Sequence, residues 1–423
     1  MNYKESLEFI HSRMKFGSRP GMERITALCE ALGNPQDKLK YVHVAGTNGK
    51  GSTSNMIAKV LEASGYKTGL FTSPYIIDFR ERMQINSEMI HEAELAEIIT
   101  KIKPIVDELS KKGIEPTEFE IITAAAFVYF LNNNCDIVVL EVGLGGLLDS
   151  TNIIKQSEVS VITSISLDHT NILGNTLLEI AAQKCGIFKE GGHVVGYPQP
   201  DFAVERFVKE QAKKMNCEYM HADLGKIRLL REEIDGSTII YAGCTFKIPL
   251  TGKYQIYNFS TAISAINTLK KLGWEISMQS MITGISNLKM PARTEIVGRN
   301  PLTIIDGGHN PEGVDALCLT LDTFCKGKNI IAVFGMMKDK DYSYCLEHLA
   351  PRCARIYTTT PSNPRSLPAK ELAKAVKPYC SKVKAVDDYG KAYEKALKKA
   401  GADDVVIVCG SLYLASDIKN LQK

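Results

Sequence analysis

The chain has 423 residues, of which 44% are hydrophobic and 23% charged, and its formal net charge is +3. This length exceeds what one ordinary hydrophobic core serves, so two domains are the default expectation for a globular protein of this composition. The small net charge argues against nucleic acid or a polyacidic partner, and no apolar run reaches the roughly 18 residues of a membrane span.

Eleven cysteines occur at irregular spacings without a Cys-x-x-Cys pair. Several of them, including Cys135, Cys185 and Cys409, lie in or beside apolar segments, which predicts reduced, buried thiols rather than disulfides or structural zinc. Residues 1–5 are polar, unlike a signal peptide, so we expect a cytoplasmic protein.

The most informative segment covers residues 42–54, VHVAGTNGKGSTS. It follows the order of a phosphate-binding loop: a strand at Tyr41–Ala45, a glycine-rich turn, and helical apolar spacing over residues 54–64. Glycines in such a turn allow positive φ and close approach of a phosphate, while Lys50 supplies a compact positive charge. The segment therefore predicts a phosphate cradle, with Ser52 or Thr53 offering a hydroxyl to Mg²⁺.

The match to the usual P-loop pattern is imperfect. Val44 stands where the first glycine is expected, and Gly51 separates Lys50 from the hydroxyl residue. The alternative is an ordinary glycine-rich turn between a strand and a helix. We favour the phosphate loop because a lysine between two glycines has an electrostatic use and no structural one.

Beyond this loop the first half alternates strand-like and helix-like segments. Predicted strands cover residues 67–72, 136–142 and 159–165, predicted helices cover 91–112, 119–132 and 258–272, and a polar loop covers 73–86. Short alternating strands around Asp235-Gly236 and Ala242-Gly243 predict hairpins at one edge of this domain.

A fresh series of strands and helices begins near residue 302. Its predicted strands cover residues 302–305, 330–334, 355–359, 382–386 and 405–409. Pro291 and the tract 298–301 interrupt the pattern before it, so we place the boundary after Arg293 and predict domains 1–293 and 294–423. The predicted fold is α/β: a P-loop-containing N-terminal domain with a mostly parallel sheet and a small hairpin sheet, and a smaller Rossmann-like C-terminal domain.

Ligands of such sheets bind beyond the carboxyl ends of the strands. The residues that follow the predicted strands are polar or chemically active: Ser73, Pro74, Glu141, Asp168, His169, Asp306, His309 and Ser411. In its apolar context Glu141 needs a partner, which is either a divalent metal bound to phosphate or a basic side chain. His169 is either a metal ligand or a hydrogen-bonded structural histidine, and the sequence leaves both open.

Seven ordered motifs carry a resemblance to a known family. They are HVAGTNGKGS (43–52), TSPY with FRER (72–75, 79–82), EVGLGG with DSTN (141–146, 149–152), DHT with LG and Lys184 (168–170, 173–174), PAR (291–293), DGGHNP (306–311) and GSLY (410–413). Over essentially the whole chain they resemble the folylpolyglutamate and dihydrofolate synthases, relatives of the muramyl peptide ligases. The resemblance implies an amide ligase in which ATP phosphorylates a carboxylate of a pterin-containing substrate and L-glutamate attacks the acyl phosphate.

The resemblance also implies residue roles. The implied ATP contacts are Gly46, Thr47, Asn48, Gly49, Lys50, Gly51, Ser52, Asn258, Arg293, Asp306 and His309. The implied metal-site residues, for one or two Mg²⁺ ions, are Ser52, Ser73, Glu141, His169 and Lys184, with Lys184 open to carbamylation and Lys50, His169 and Lys184 acting in catalysis. The implied substrate contacts are Phe79, Arg80, Arg82, Thr117 and Phe119 for the pterin-bearing substrate, and His309, Ser411 and Tyr413 for glutamate.

Structural alternatives remain for several of these residues. Asn258 is also suited to cap its helix, Asp306 to form a turn at a strand end, and Arg80 and Arg82 to lie on a solvated loop.

The chain departs from the family pattern at two charged positions. Leu147 replaces the usual arginine after Gly-Leu-Gly-Gly, and Gln183 replaces the usual acidic residue before Lys184. Ser150, Ala292 and Gly308 are milder replacements.

Three functions are weighed against one another. The preferred one is a folylpolyglutamate synthase, with or without activity on dihydropteroate. A family member that binds ATP without ligase activity is the second, because of Leu147 and Gln183. A muramyl peptide ligase is disfavoured, since the loop ending at Arg82 resembles the folate branch. In each case we expect small-molecule substrates, a monomer, and no nucleic acid or membrane partner.

Overall fold

The computed structural model describes residues 1–17, 19–338 and 340–422. The chain forms two compact units. The N-terminal unit comprises residues 1–227 and 257–287, and the C-terminal unit comprises residues 228–256 and 288–423. Among the described residues, no helix has the length and apolarity needed to cross a membrane.

The N-terminal unit is built on one twisted, mostly parallel sheet. Its strands are β1 Tyr41–Ala45, β2 Thr68–Phe71, β3 Met83–Ile85, β4 Glu88–Met89, β5 Ile137–Glu141, β6 Val159–Ile162, β7 His193–Gly196 and β8 Glu218–His221. They lie in the order β4-β3-β2-β5-β1-β6-β7-β8. Only the β2–β3 and β3–β4 pairs at one edge are antiparallel, among the pairings that the structure describes.

Helices cover both faces of this sheet. They are α1 Tyr3–Ser12, α2 Glu23–Ala31, α3 Lys50–Ala63, α4 Glu92–Lys111, α5 Glu118–Asn132, α6 Thr170–Leu173, α7 Leu177–Cys185, α8 Phe202–Lys214, α9 Tyr254–Lys271 and α10 Met278–Ser286. One core packs α1, α2, α4 and α5 against Phe71, Val138 and Leu140 of the sheet. A second packs α7 and α8 against Ile162 and Val194.

The C-terminal unit contains two sheets. The strands β9 Ile227–Glu233, β10 Gly236–Tyr241 and β11 Cys244–Ile248 form one in the order β11-β10-β9. The strands β12 Glu295–Arg299, β13 Leu302–Ile305, β14 Ile330–Phe334, β15 Arg355–Thr358, β16 Val383–Ala385 and β17 Val405–Cys409 form the other in the order β12-β13-β17-β14-β15-β16. The helices are α11 Pro311–Phe324, α12 Tyr342–Leu349, α13 Ala369–Val376, α14 Tyr389–Lys399 and α15 Leu412–Asn420.

The predicted α/β fold is confirmed, and one local expectation is corrected. The hairpins at residues 227–249 are present, with Tyr241 paired to Cys244 around the Ala242-Gly243 turn. Residues 228–256 belong to the C-terminal compact unit, and their assignment to the first domain stays a prediction. The tract at 298–301 ends an additional strand, β12, which pairs antiparallel with β13. The division into domains 1–293 and 294–423 stays a prediction.

Candidate active site

The strand order of the N-terminal sheet brings predicted site residues to one edge. Strands β2, β5, β1 and β6 are neighbours and run parallel, so their carboxyl ends meet there. Glu141 ends β5, and its carboxylate Oε2 lies 3.3 Å from the main-chain nitrogen of Ser73, which follows β2. The main-chain N–H of Thr47, after β1, donates to the carbonyl oxygen of Ser164, after β6, at 2.7 Å.

The glycine-rich loop passes directly into α3 at Lys50, four residues before the predicted start. The sequence prediction followed the apolar spacing, whereas the helix begins as soon as Gly49, in the left-handed region at φ 81°, has turned the chain. Gly51, Ser52 and Thr53 therefore lie in the first helical turn. Their main-chain N–H groups belong to the end of a helix that favours negative charge.

Two glycines of this loop are required by close packing. A Cβ atom at Gly46 would lie 1.7 Å from Oγ1 of Thr163, and one at Gly49 would lie 2.4 Å from Oδ1 of Asn258. The loop is also fixed from β6, because Oγ1 of Thr163 donates to the carbonyl oxygen of Asn48 at 2.7 Å. The structure thus brings Asn258, a predicted ATP contact, onto the phosphate loop. Asn258 lies inside α9, four residues from its start, so the helix-cap alternative is wrong.

Two lysines meet beneath the loop. Nζ of Lys50 donates to the carbonyl oxygens of Gly46 and Thr47 at 3.1 and 3.0 Å, and Nζ of Lys184 donates to that of Gly46 at 2.7 Å. Lys184 is almost fully buried. Burial, followed by the charge of Lys50, lowers the pKa of Lys184 well below its usual value. The site thus favours the neutral amine at this position.

The predicted metal-site residues differ in their surroundings. Glu141 and Ser52 are buried, at 4% exposure each, and Ser52 lies in the first turn of α3. His169 has a side chain that is 44% exposed and a left-handed backbone at φ 51°, and it precedes α6 with its N–H bonded to the Asp168 carboxylate at 2.8 Å. Within the described residues, no group of three or more His, Cys, Asp or Glu side chains is arranged to hold a metal ion.

A buried polar network supports the loop that follows Glu141. Asp149 accepts hydrogen bonds from the N–H of Leu144 at 2.8 Å and from the hydroxyl of Thr151 at 2.6 Å. Because that hydroxyl donates to Asp149, Nε2 of His43 must be the donor in its 2.9 Å contact with Thr151. Burial, and secondarily the charge of Lys189, lowers the pKa of His43 to about 3, so the imidazole is neutral. The network joins β1, before the phosphate loop, to the loop after β5.

The loop predicted to contact the pterin-bearing substrate has a defined internal structure. Glu81 accepts hydrogen bonds from the main-chain N–H groups of Ile76, Ile77 and Asp78 at 2.7 to 2.9 Å. Arg80 pairs through two hydrogen bonds with Asp78. The guanidinium of Arg82 lies 5.2 and 5.6 Å from the ring centroids of Tyr75 and Phe79. These arginines are anchored, so the alternative of a freely solvated loop is wrong.

The predicted contacts Thr117 and Phe119 begin α5. Thr117 caps that helix in a reciprocal arrangement with Glu120, whose carboxylate also binds Arg24. The Phe119 ring covers the backbone just after β5, since a Cβ atom on Gly143 would lie 2.5 Å from Cζ of Phe119.

The remaining predicted residues lie in the C-terminal unit. Asp306 accepts from the N–H and hydroxyl of Thr294 at 2.9 and 3.0 Å and from the N–H of Gly308 at 2.7 Å, which is the turn-forming role. Nδ1 of His309 lies 3.2 Å from the carbonyl oxygen of Gly307.

The two predicted glutamate contacts at the end of β17 belong to one helix start. Ser411 caps α15 by accepting from the N–H of Tyr413 at 3.1 Å. The hydroxyl of Tyr413, in turn, accepts from Nη2 of Arg365 at 3.2 Å.

Sequence reasoning missed Thr163 and Ser164, which hold the phosphate loop, and Glu81, which organises the neighbouring loop. Both residues follow β6, which ends at Ile162, whereas the sequence predicts a strand that continues to residue 165 and so places them inside it.

Comparison with known proteins supports this architecture. Residues 44–266 match the family described as Mur ligase middle domain, and residues 292–412 match Mur ligase, glutamate ligase domain. A dihydrofolate synthase/folylpolyglutamate synthase of Bacillus subtilis is 36% identical over 431 residues, covering 100% of this chain and 99% of the relative. A folylpolyglutamate synthase of Lacticaseibacillus casei is 35% identical, covering 99% and 98%.

A solved structure agrees with these sequence matches. The folylpolyglutamate synthase of Mycobacterium tuberculosis, complexed with ADP and AMPPCP, superposes with a TM-score of 0.89 at 28% identity, covering 99% of each chain.

Proposed function

Because the chain belongs to the family of folylpolyglutamate and dihydrofolate synthases, within the Mur ligases, we propose that it is an ATP-dependent ligase that joins L-glutamate to a folate. The observation that carries the proposal is that Lys50, in the glycine-rich loop, and the buried Lys184 both donate to the carbonyl oxygen of Gly46. Glu141 ends β5, the strand that pairs with β1 before this loop. Such a site combines the positive charge of Lys50 with main-chain N–H groups, which is what the binding of a nucleotide phosphate requires.

The reaction follows from the poor reactivity of a carboxylate towards amines. A carboxylate oxygen of the folate attacks the γ-phosphorus of ATP, which forms an acyl phosphate and releases ADP. The amine of L-glutamate then attacks the acyl carbon, the C–O bond to phosphate breaks, and the amine loses a proton as the amide forms. Both steps bring anions together, so the protein must supply positive charge and oriented donors.

The residues of the phosphate loop fit this requirement. The N–H groups of α3's first turn, from Lys50 to Ser52, favour the β and γ phosphates, and the ammonium of Lys50 neutralises them. Gly46 and Gly49 leave no room for a Cβ atom, so the loop needs glycine at both positions. At these two positions no side chain stands between the loop backbone and a phosphate.

The donor set also fits Mg²⁺. Ser52 and Glu141 offer hydroxyl and carboxylate oxygens, and Ser73, His169 and Lys184 are the further predicted metal-site residues. Mg²⁺ commonly binds proteins through one or two carboxylates together with substrate phosphates, so a site with few protein ligands is appropriate. When bound, Mg²⁺ offsets the charge that accumulates on the phosphates.

The lowered pKa of Lys184 supports its predicted carbamylation. A neutral amine can add CO₂ and lose a proton, which converts a cation into an anionic carbamate. A carbamate at this position would be an oxygen ligand of the hard type that Mg²⁺ prefers.

The other assignments remain proposals. Asn258, Arg293, Asp306 and His309 are predicted to contact ATP, the first because its amide lies on Gly49. Phe79, Arg80, Arg82, Thr117 and Phe119 are predicted to contact the pterin-bearing substrate, and His309, Ser411 and Tyr413 the incoming glutamate. We expect a monomer without nucleic-acid or membrane partners.

The direct test is ADP release by the purified protein with a reduced folate, L-glutamate, ATP and Mg²⁺ together, and with each omitted in turn. We expect release that requires all four. ATP binding without glutamate-dependent turnover would instead support the inactive-family-member alternative, which Leu147 and Gln183 motivate. Mass spectrometry of parallel incubations with tetrahydrofolate and dihydropteroate would then identify the preferred substrate and the number of glutamates added.

A further inference from the structure

An ordered series of contacts leads away from Glu141 along the predicted folate side of the N-terminal unit. The Phe119 ring packs on Gly143, two residues after Glu141. One residue before Phe119, the carboxylate of Glu118 lies 3.1 Å from Nδ1 of His11. Nε of Arg13 then donates to the carbonyl oxygen of Pro116 at 3.0 Å. The segment after α1 is therefore tied to the start of α5.

Three cations surround one aromatic ring on this segment. The guanidinium carbons of Arg13 and Arg19 lie 4.4 and 5.3 Å from the centroid of the Phe16 ring, and Nζ of Lys15 lies 5.0 Å from it. Arg13 is nearly buried, whereas Lys15 and Arg19 are exposed. We call Lys15, Phe16 and Arg19 the basic cluster. Gathering like charges around one ring is unfavourable unless anions accompany them.

The acidic side chains nearby do not balance this charge. Glu115 pairs with Arg13, and Glu120 pairs with Arg24. The pKa of Glu115 is lowered by hydrogen bonds from Ser110 and Arg13 and further by the charges of Arg13 and Lys15, so Lys15 also interacts with this carboxylate. Among the residues that the structure describes, neither Lys15 nor Arg19 has a carboxylate oxygen within 4.0 Å. Arg13, Lys15 and Arg19 therefore share the single carboxylate of Glu115, which leaves two positive charges without a compensating anion.

The proposed reaction produces anions that need such a surface. Each cycle must place a new terminal carboxylate at the phosphate loop, while the carboxylates left by earlier cycles stay on the growing chain. Since the reacting end has a fixed position, every added glutamate displaces the older part of the substrate outward by one residue. The internal carboxylates then move towards the outer end of the substrate site.

We propose that the basic cluster binds the internal carboxylates of a substrate that already carries several γ-linked glutamates. This inference rests on the proposed function and names a substrate class for it. Lys15 and Arg19 each bind one carboxylate, and Phe16 holds both cations in place from below. The cluster favours longer substrates over a monoglutamate, which does not reach it.

The test compares tetrahydrofolate bearing one glutamate with tetrahydrofolate bearing three, using glutamate-dependent ADP release by the full chain. The measured quantity is the ratio of kcat/KM for the triglutamate to that for the monoglutamate. In the Lys15→Gln/Arg19→Gln variant we expect this ratio to fall about three- to ten-fold, as befits two exposed ion pairs. Raising the NaCl concentration should lower the wild-type ratio but leave that of the variant almost unchanged.

Two further variants separate the role of charge from effects on folding. Lys15→Arg/Arg19→Lys retains both charges and should keep the wild-type ratio. Lys209→Gln/Lys213→Gln removes two exposed charges from α8 and should also keep it. A wild-type ratio in the Lys15→Gln/Arg19→Gln variant would overturn the inference while leaving the ligase activity intact. If the wild-type protein turned over neither substrate, the proposed function itself would fail.

Discussion

The main-chain N–H of Leu147 donates to the carbonyl oxygen of Gln183 across 2.7 Å. These are the two positions at which the family resemblance predicts a charged side chain, an arginine at the first and an acidic residue at the second. As neighbours they remove one positive and one negative charge from the same place, so the local net charge is preserved. The two departures are therefore best understood as one paired change beside Lys184.

Restoring both charges tests this interpretation. We expect Leu147→Arg alone to lower kcat/KM, because it adds an unpaired cation beside Lys184. Gln183→Glu alone should also lower kcat/KM, because it adds an unpaired anion at the same place. The kcat/KM of the double variant should be higher than the value expected from adding the two single effects. The coupling, measured by ADP release in a double-mutant cycle, should exceed about 0.5 kcal/mol.

The neighbouring Leu148 provides the control for this cycle. It is 44% exposed, against 46% for Leu147, so Leu148→Arg adds the same charge one residue away. Paired with Gln183→Glu it should show weaker coupling. Additive effects of Leu147→Arg and Gln183→Glu would mean that the two departures are independent.

Lys50→Ala should abolish turnover without unfolding the protein. Its ammonium donates to two loop carbonyls, and removing a preorganised cation from developing phosphate charge costs on the order of 100-fold or more in kcat. Lys59→Ala, on the same helix and paired with Glu62, serves as the control and should keep wild-type turnover. Glutamate-dependent ADP release measures activity, and circular dichroism measures folding. Retained turnover in Lys50→Ala would remove the phosphate loop from the mechanism.

The pattern of apolar residues correctly predicted the central strands of the fold. The prediction for β1, Tyr41–Ala45, agrees with the structure at both ends, because a strand buried on both faces has a nearly continuous apolar sequence, interrupted here by His43. The same rule missed β12. Gly298 and Pro301 mark a loop in isolation, but a bulge before Gly298 and pairing with β13 make the segment a strand. The segment is a strand because it pairs with β13, and the local sequence carries no signal of that pairing.

The site was predictable where charge or glycine marks it. Lys50, Glu141 and Lys184 stand out as charges in apolar or glycine-rich surroundings, and the structure brings the two lysines together. Thr163 was not predictable in this way, because a small hydroxyl residue after a strand is common. Its role depends on close packing, since its Oγ1 lies 1.7 Å from where a Cβ atom on Gly46 would be. Close packing between distant segments is the information that a single sequence lacks.

Thr151→Val should destabilise the folded state. The hydroxyl of Thr151 links Asp149 to Nε2 of His43, and all three side chains are buried. Its removal leaves Nε2 of His43 without a partner and removes one hydrogen bond from Asp149, whose Oδ1 still accepts from the N–H of Thr151 at 3.0 Å. A buried group left without a partner costs about 1–3 kcal/mol and a lost hydrogen bond about 1 kcal/mol, so the free energy of unfolding should fall by roughly 2–4 kcal/mol. Urea denaturation measures the change. Thr151→Ser keeps the hydroxyl and should lose much less, and equal losses in the two variants would exclude this hydrogen-bond explanation.

The buried amine of Lys184 predicts a pH dependence of stability. Because its folded-state pKa is lowered well below 10.5, the unfolded chain binds more protons than the folded chain between that lowered pKa and 10.5. The free energy of unfolding contributed by this group therefore rises with pH towards 10.5 and is lowest at and below the folded-state pKa. Lys184→Met removes the titrating amine, so we expect the wild-type protein to gain stability relative to this variant as the pH increases from 7 to 9.5.

Urea denaturation at several pH values in CO₂-free buffer measures this difference, since the absence of CO₂ keeps the amine unmodified. Other groups also titrate in this range, including Lys189, whose pKa burial lowers to about 8. They are present in both proteins and cancel in the comparison. Lys209→Met, at an exposed position of α8, should follow the pH dependence of the wild-type protein. If the gap between wild type and Lys184→Met stayed constant with pH, Lys184 would be charged in the folded state, and the route to a carbamate would be closed.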